Sequence, residues 1–285
     1  MLISEEKQIM AYLYRKTYTS EIYSFQDLVK EAIMLVLEFD KINAEALTDK
    51  KINKVWACFL KDYNYDLKNN IVPLFDIIDE KSKLVKWIGI SSTDLDECKR
   101  YLFMDRPELY KIFDKMSNRE YEALACVLCG LMGAENKLLT DAGNEGGIDF
   151  IASIKFSTNA HFLFGIKGPI RIIGQCKKYN TKDNIGHMKE FTQTLNNVYN
   201  LSFRPGEILP LWFKQDKGPI YGWHIAHEGH QSGALGYAKN FGILTSSSKE
   251  IIDLLCKLKF ANTIKGTKVD KLKYMIREEL TKEYP

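Results

Sequence analysis

The sequence lacks the features that mark membrane and secreted proteins. No apolar run approaches the ~20 residues that a membrane-spanning helix needs. The N-terminal segment MLISEEKQIM is acidic and polar, unlike a signal peptide. The six cysteines are scattered over 285 residues, without the close spacing of a disulfide-stabilised small domain. We therefore expect a cytoplasmic protein with reduced thiols and no membrane partner.

The chain also has little net charge, no internal repeat and no low-complexity stretch. Its 40 Lys and Arg nearly balance 37 Asp and Glu, which leaves a formal charge of +3. Global charge therefore does not indicate nucleic-acid binding, and such a function would have to rest on local clusters. Hydrophobic residues make up 45% and charged residues 27%, a composition typical of globular proteins with one large domain or two ordinary ones.

Residues 1–114 predict a mainly helical N-terminal module. Ser24 is suited to cap one helix and Thr48 a second, since both side chains can accept a hydrogen bond from a helix N-terminus. Two β-rich runs, 71–78 and 84–90, follow and are joined by a polar turn. The expected inner face of the first helix consists of Leu28, Ala32, Leu35 and Phe39.

The second expected helix carries a basic face, which consists of Lys50, Lys51, Lys54 and Lys61. Helices followed by a β-hairpin suggest a winged helix, whose second helix enters a DNA groove and contacts phosphates through its lysines. The alternative is an α/β packing module with a solvated lysine face, because charge runs are commonly exposed surface. The sequence leaves both interpretations open.

Residues 115–262 predict an α/β sandwich around a central mixed sheet. Ser117 and Glu120 form a capping box before an amphipathic helix, in which Cys126 and Cys129 are expected to pack in the core rather than bind zinc. Further strands are expected at 148–154, 170–176, 220–226 and 242–245, another apolar segment at 162–166, and helices at 185–198, 232–240 and 247–258. Residues 263–285 contain a charged amphipathic C-terminal helix.

Three polar residues on two expected strands point to phosphodiester chemistry. Asp149 follows two glycines at a strand start, and Gln175 and Lys177 lie 26 and 28 positions later on another strand. Residues two apart in a strand share a face, so pairing of these strands would bring a carboxylate, an amide oxygen and an ammonium to one edge. Such a carboxylate can hold Mg²⁺, which polarises a phosphate and acidifies a bound water, while the lysine orients that water.

The segments GGIDFI at 146–151 and IIGQCKK at 172–178 resemble the catalytic domain of Mrr-type restriction endonucleases. This family belongs to the PD-(D/E)xK nuclease superfamily. Like this sequence, it has Gln where most members of the superfamily have Asp or Glu. The resemblance covers about residues 115–260, from the helix that holds Glu122 to the last expected strand. Each half of the Asp and Gln-x-Lys pattern is weak alone, and their combination is specific.

The resemblance implies a restriction-endonuclease-like fold and Mg²⁺-dependent hydrolysis of DNA, with Mn²⁺ as a substitute ion, in restriction or phage defence. The catalytic residues that it implies are Asp149, Gln175, Lys177 and Glu122. The metal ligands that it implies are Asp149, Gln175 and the backbone carbonyl of Cys176, with Glu145 as an open candidate.

Two alternative functions use the same fold: a structure-specific repair or recombination nuclease, and a DNA-binding protein without catalysis. The intact catalytic pattern argues against the second. One site cuts one strand, so cleavage of both strands favours a homodimer. Partner defence subunits are a further interaction to consider.

The expected site has basic surroundings. Arg171, Lys178 and Lys182 accompany Lys177 in the stretch from 165 to 189, where the one acidic residue is Asp183. We expect the first three to contact DNA phosphates and to make binding salt-dependent. The alternative for each of them is an ordinary solvated loop.

His224, His227 and His230 form an H-x-x-H-x-x-H pattern. Three imidazoles could ligate zinc, yet the spacing crosses a strand end and a glycine-bearing loop, and no fourth ligand is nearby in sequence. A loop that lines the DNA cleft is the alternative.

Overall fold

The structure is a computed structural model. In it the chain forms two compact units, Met1–Lys115 and Met116–Pro285. No helix in the part of the chain that it describes is long and apolar enough to span a membrane. The expected segment 162–166 and Glu145 lie outside the described residues. The residues described are 4–16, 18–19, 21–68, 71–88, 105–141, 147–155, 168–200, 202, 209–216, 218–258, 260 and 265–282.

The N-terminal unit is mainly helical and carries a small antiparallel sheet with the strand order β1-β3-β2. The β2–β3 hairpin follows the long helix α3, which is the helix-then-hairpin order that the sequence predicts. The elements are α1 (Glu5–Arg15), β1 (Ile22–Ser24), α2 (Phe25–Val36), α3 (Lys41–Lys68), β2 (Phe75–Asp79), β3 (Leu84–Trp87) and α4 (Arg106–Lys115).

Helix α2 confirms the expected cap and corrects the expected inner face. The Ser24 side chain accepts a hydrogen bond from the backbone of Asp27, as predicted. Leu35 and Phe39, however, are 62% and 40% exposed. Leu35 lies in the last turn at the edge of the apolar stripe, and Phe39 follows the helix end. The buried stripe consists of Phe25, Leu28, Val29, Ala32 and Ile33.

The prediction that Thr48 caps the second helix is wrong. Helix α3 begins at Lys41, about two turns earlier, where the Asp40 carboxylate accepts hydrogen bonds from the backbone of Ile42 at 3.0 Å and Asn43 at 2.9 Å. Thr48 is buried inside the helix and donates its hydroxyl to the carbonyl of Ala44 at 2.6 Å. An internal threonine can satisfy its hydroxyl in this way, so its presence does not by itself mark a helix start.

The C-terminal unit is an α/β sandwich around a five-stranded mixed sheet with the order β4-β5-β6-β7-β8. β4, β5 and β6 pair antiparallel, whereas β6, β7 and β8 pair parallel. The elements are α5 (Asn118–Leu131), β4 (Ala134–Leu139), β5 (Phe150–Ile154), β6 (Ile170–Lys177), α6 (Ile185–Tyr199), α7 (Leu211–Gln215), β7 (Ile220–Ala226), α8 (Ser232–Asn240), β8 (Leu244–Ser247), α9 (Ser248–Lys257) and α10 (Lys268–Thr281).

Apolar packing covers both faces of this sheet. On one face, Ile151 and Ile173 belong to a buried cluster with side chains of α6 and α8. On the other face, α5 packs against β4, β5 and β6. Cys126 and Cys129 of α5 are buried and free, which confirms that they are core residues. The Cys126 thiol donates to Glu279 of α10 at 3.1 Å, which attaches the C-terminal helix to this unit.

Substitution of two glycines, one in the sheet and one in helix α8, tests the packing of the sheet. A Cβ atom at Gly174 would lie 1.9 to 2.4 Å from ring atoms of Phe150, whereas a Cβ at Gly236 in α8 would meet nothing within 4 Å. Gly174→Ala should therefore lower the free energy of unfolding by about 1–3 kcal/mol, since the ring must move. Gly236→Ala, the matched control, should raise it by about 0.5–1 kcal/mol through lower chain entropy. Urea unfolding measures both, and a Gly174→Ala protein as stable as the parent would contradict this packing.

Candidate active site

Asp149 is held at the point where strand β5 begins. Its backbone N–H donates to the Gly174 carbonyl at 2.8 Å, and its own carbonyl accepts from the Thr140 N–H at 3.1 Å. The side chain is 8% exposed, and its Oδ2 accepts a hydrogen bond from the backbone N–H of Cys176 at 2.5 Å. Main-chain pairing with two strands therefore fixes this carboxylate beside the end of β6.

The backbone of Cys176 is available because β5 pairs with β6 no further along β6 than Gly174. Beyond Gly174, β6 continues beside β7 alone within the sheet, and the Asp149 carboxylate takes the place of the missing strand. The N–H and C=O of one residue in an extended strand point to the same side. The Cys176 carbonyl therefore faces the same side as Asp149, the position that the family resemblance implies for a backbone metal ligand.

A polar cleft of about 220 Å³ opens at this strand end. It brings together Glu122 from α5, Asp149, and Lys177 from β6, three of the four catalytic residues expected from the sequence. The lining residues are Asn118, Tyr121, Glu122, Asp149, Cys176, Lys177, Lys178 and Tyr179.

Gln175, the fourth expected residue, is buried and is not among the residues that line the cleft. Its Nε2 donates to the Gly147 carbonyl at 3.0 Å, which ties the strand to the turn before Asp149. Its Oε1 is buried without a hydrogen-bond partner among the described residues. Buried polar atoms are nearly always paired, so an unpaired amide oxygen at this place is a free ligand atom.

These donor atoms fit a hard divalent cation. The Asp149 carboxylate, the Gln175 amide oxygen and the Cys176 carbonyl are all oxygen ligands, the type that Mg²⁺ and Mn²⁺ prefer. The Cys176 thiol does not contribute, because burial raises its pKa well above the usual range, and the negative charges of Asp149 and Glu122 raise it further. Glu145, the other candidate ligand, lies outside the described residues.

Arg119, which the sequence pattern did not single out, positions Glu122. Its Nη1 donates to Glu122 Oε2 at 2.9 Å, and its Nη2 donates to the carbonyl of Thr140 at 2.5 Å. Thr140 also donates its hydroxyl to the Ile148 carbonyl at 2.6 Å, next to Asp149. The guanidinium thus connects the helix that carries Glu122 with the segment that carries Asp149.

The basic residues near the site differ in their availability. Lys178 lines the cleft and Lys182 is exposed. Arg171 is instead engaged inside the protein, since its guanidinium donates to the carbonyls of Gly218 and Phe213 at 2.8 to 3.0 Å. Arg171 also lies six positions before Lys177 along the extended strand, a distance of roughly 20 Å. This geometry does not favour the expected DNA contact of Arg171.

The lysines expected to read DNA lie in the N-terminal unit. Lys50 and Lys54 are exposed on α3. Lys51 is mostly buried and forms ion pairs with Glu5 at 2.7 Å and Glu6 at 2.8 Å. Hydrogen bonds from Lys51 to these carboxylates raise its pKa, so the charge is already matched within the unit. Lys51 therefore differs from its two neighbours, although the sequence pattern placed the three together.

Residues 113–202 match a family model described as restriction endonuclease, the Mrr catalytic domain. The matched segment contains Glu122, Asp149, Gln175 and Lys177, so residues 113–202 are similar to the restriction endonuclease domain of the Mrr type. This confirms the resemblance found in the sequence. No curated protein matches the chain at a significant level.

Three solved structures are similar to part of the chain. The MspJI restriction endonuclease in complex with a 27-mer oligonucleotide has a TM-score of 0.40 at 13% identity, over 64% of this chain and 36% of that one. AF1548, a protein of unknown function, has a TM-score of 0.36 at 14% identity, over 57% and 79%. The DNA modification-dependent restriction endonuclease AspBHI has a TM-score of 0.37 at 14% identity, over 62% and 40%. The matched region of this chain spans about a third of the length of MspJI and two fifths of AspBHI.

The unpaired oxygen of Gln175 predicts an unusual stability effect. Gln175→Met keeps the side-chain length, loses one hydrogen bond of about 0.5–1.5 kcal/mol, and removes a buried unpaired acceptor that costs about 1–3 kcal/mol. Without divalent ions, the variant should therefore unfold at equal or higher urea concentration than the parent.

Ser248→Ala serves as the control, because the Ser248 hydroxyl contacts Tyr121 at 2.7 Å and His227 at 2.8 Å. It should lower the free energy of unfolding by about 1–3 kcal/mol. If Gln175→Met were destabilised as much as Ser248→Ala, the Gln175 oxygen would have to be satisfied in the protein.

Proposed function

We propose that this protein is a Mg²⁺-dependent DNA endonuclease that hydrolyses phosphodiester bonds in restriction or phage defence, with Mn²⁺ able to replace Mg²⁺. One observation carries the proposal: the Asp149 carboxylate and the Cys176 backbone meet at a strand end, beside Lys177 and Glu122. This arrangement lies within the segment that matches the restriction endonuclease family.

The four catalytic residues expected from the sequence each have a role in this proposal. Asp149, Gln175 Oε1 and the Cys176 carbonyl would hold the ion, which supplies charge neutralisation at the phosphate and acidifies a bound water. The Lys177 ammonium orients the attacking water and donates a hydrogen bond to a phosphate oxygen as negative charge develops. Glu122, held by Arg119, adds a second carboxylate that can accept a proton from water within the cleft.

Lysines near the cleft and lysines of the N-terminal unit would both contact DNA. Lys178 and Lys182 lie close to Lys177 in sequence and would contact phosphates near the cut. On α3, Lys50 and Lys54 are exposed and would contact phosphates through the N-terminal module. Phosphate contacts of this kind fix the register of a protein on DNA without reading its sequence.

We further propose that the protein acts on duplex DNA as a homodimer, alone or with partner defence subunits. One cleft of this kind hydrolyses one strand. Two clefts related by a twofold axis match the symmetry of duplex DNA, and a twofold dimer is the commonest oligomer.

Loss of the Asp149 carboxylate tests the proposed chemistry. Asp149→Asn keeps the size of the side chain and removes the ligand charge, so plasmid nicking in Mg²⁺ should fall by more than about 100-fold while DNA affinity persists. EDTA should abolish nicking by the parent. The control is Glu135→Gln, an exposed acid paired with Lys155 on the surface, which should leave nicking unchanged. Full nicking by pure Asp149→Asn protein would refute the assignment.

The contrast between neighbouring lysines on α3 tests DNA binding by the N-terminal unit. Replacing both Lys50 and Lys54 by Ala should weaken duplex binding and lower the slope of log affinity against log salt by about 1.8, because each lost phosphate contact lowers it by about 0.9. Lys51→Ala removes a charge that is already paired and should leave the slope unchanged. If the double substitution changes neither affinity nor slope, this unit does not bind DNA and would instead contact a partner protein.

A further inference from the structure

A second cluster of ligating side chains lies where the loops after β6 and β7 meet. Asp183, His224 and His230 are all buried, at 2%, 0% and 7% exposure. One ligand atom from each of them lies within 4.8 Å of the other two. None of these residues lines the cleft at Asp149.

The polypeptide backbone holds this cluster in place without any ligand. The Asp183 N–H donates to the Gly229 carbonyl at 2.8 Å, and the Gln231 N–H donates to the Asp183 carbonyl at 2.9 Å. These two bonds join the loop after β6 to the loop after β7. His224 lies on β7 itself, with its ring against Phe191 of α6 at 5.4 Å. Two segments distant in sequence, the loop after β6 and β7 with the loop that follows it, therefore present their side chains to one point.

Two atoms of the cluster are buried and unpaired. Asp183 Oδ2 and His224 Nε2 have no hydrogen-bond partner within the described part of the chain. They lie 3.6 Å apart, which is too far for a hydrogen bond. Buried polar atoms are nearly always paired, and a buried carboxylate needs a compensating positive charge. A cation that contacts both atoms would satisfy both requirements.

Hydrogen bonds connect the members of the cluster in the absence of an ion. Nδ1 of His224 lies 3.0 Å from Nε2 of His230, so one hydrogen bond joins the two rings and leaves Nε2 of His224 unpaired. His187 Nδ1 contacts Oδ1, the other oxygen of Asp183. A hydrogen-bond partner of this kind commonly orients a carboxylate that ligates a metal.

We propose that Asp183, His224 and His230 bind one transition-metal ion of the Zn²⁺ class, at a site distinct from the oxygen site at Asp149. Imidazole nitrogens with one carboxylate are typical zinc ligands, whereas Mg²⁺ prefers oxygen ligands. Tetrahedral coordination at 2.0–2.2 Å places ligand atoms roughly 3.3–3.6 Å apart. Asp183 Oδ2 and His224 Nε2 already lie at 3.6 Å, and all three ligand atoms lie within 4.8 Å of one another, so side-chain shifts would close the site.

The site joins the strand ends next to the proposed active site. β6 carries Lys177 at its last position, and Asp183 follows in the next loop. The bound ion therefore has a structural role: it fixes the loop after β6, and with it the strand end that holds Lys177.

The His-x-x-His-x-x-His pattern is only partly used in this site. His227 is not a member, since its Nδ1 contacts the Ser248 hydroxyl at 2.8 Å. Asp183, 41 positions before His224 in the sequence, takes its place. His227 is therefore a matched control: it is a buried histidine from the same loop as His230 and is not one of the three clustered ligands.

The experiment measures Zn²⁺ binding in the full-length Asp149→Asn protein, so that the other candidate metal site is disabled. After chelator treatment and reloading, elemental analysis should find one Zn²⁺ per chain. His227→Asn should retain this ion, whereas Asp183→Asn and His230→Asn should lose it. His187→Asn should weaken Zn²⁺ binding by about 10–100-fold, measured by competition with a chromophoric chelator. No bound Zn²⁺, or equal binding by Asp183→Asn, would overturn the proposal.

If the ligand variants do not fold, a spectroscopic measurement tests whether the histidines bind a metal ion. Co²⁺ loaded into the Asp149→Asn protein should give the large NMR shifts of metal-bound imidazole from two histidine rings. Shifted signals from no histidine would also overturn the proposal. This result does not depend on nuclease activity, so it stands apart from the proposed function.

Discussion

The geometry of the candidate active site depends on the short pairing between β5 and β6. β5 starts at Phe150, opposite Gly174, while β6 continues to Lys177. The Cys176 N–H would lose its partner at that point, and the Asp149 carboxylate accepts it instead. One hydrogen bond therefore sets the carboxylate against the strand that carries Gln175 and Lys177. The cleft, its polar lining and the orientation of the Cys176 carbonyl all follow from this early strand end.

β6 is the central strand of the sheet and separates its antiparallel and parallel halves. On the antiparallel side, the start of β5 provides oxygen atoms suited to Mg²⁺. On the parallel side, β7 and its loop provide nitrogen atoms suited to a softer ion. The two proposed metal sites thus lie on opposite sides of one strand end, and their ligand chemistry keeps them distinct.

The sequence predicted much of this arrangement because strong local patterns dominate it. The sequence predicted both residues of the capping box, Ser117 and Glu120, and both bounds of the strand 220–226. Strand β4 was missed, because its sequence AENKLL is charged and contains no β-branched residue; pairing with β5 stabilises it. Other failures concern contacts between segments distant in sequence. No local pattern could show that Lys51 pairs with Glu5 and Glu6, or that Asp183 joins the histidine cluster.

Anomalous diffraction from crystals of the protein soaked in Mn²⁺ tests the central claim most directly. The account predicts a Mn²⁺ peak bounded by the Asp149 carboxylate, the Gln175 Oε1 atom and the Cys176 carbonyl. It also predicts that the peak disappears in Asp149→Asn crystals soaked in the same way. A peak confined to Asp183, His224 and His230, or no peak near Asp149 at saturating Mn²⁺, would contradict it.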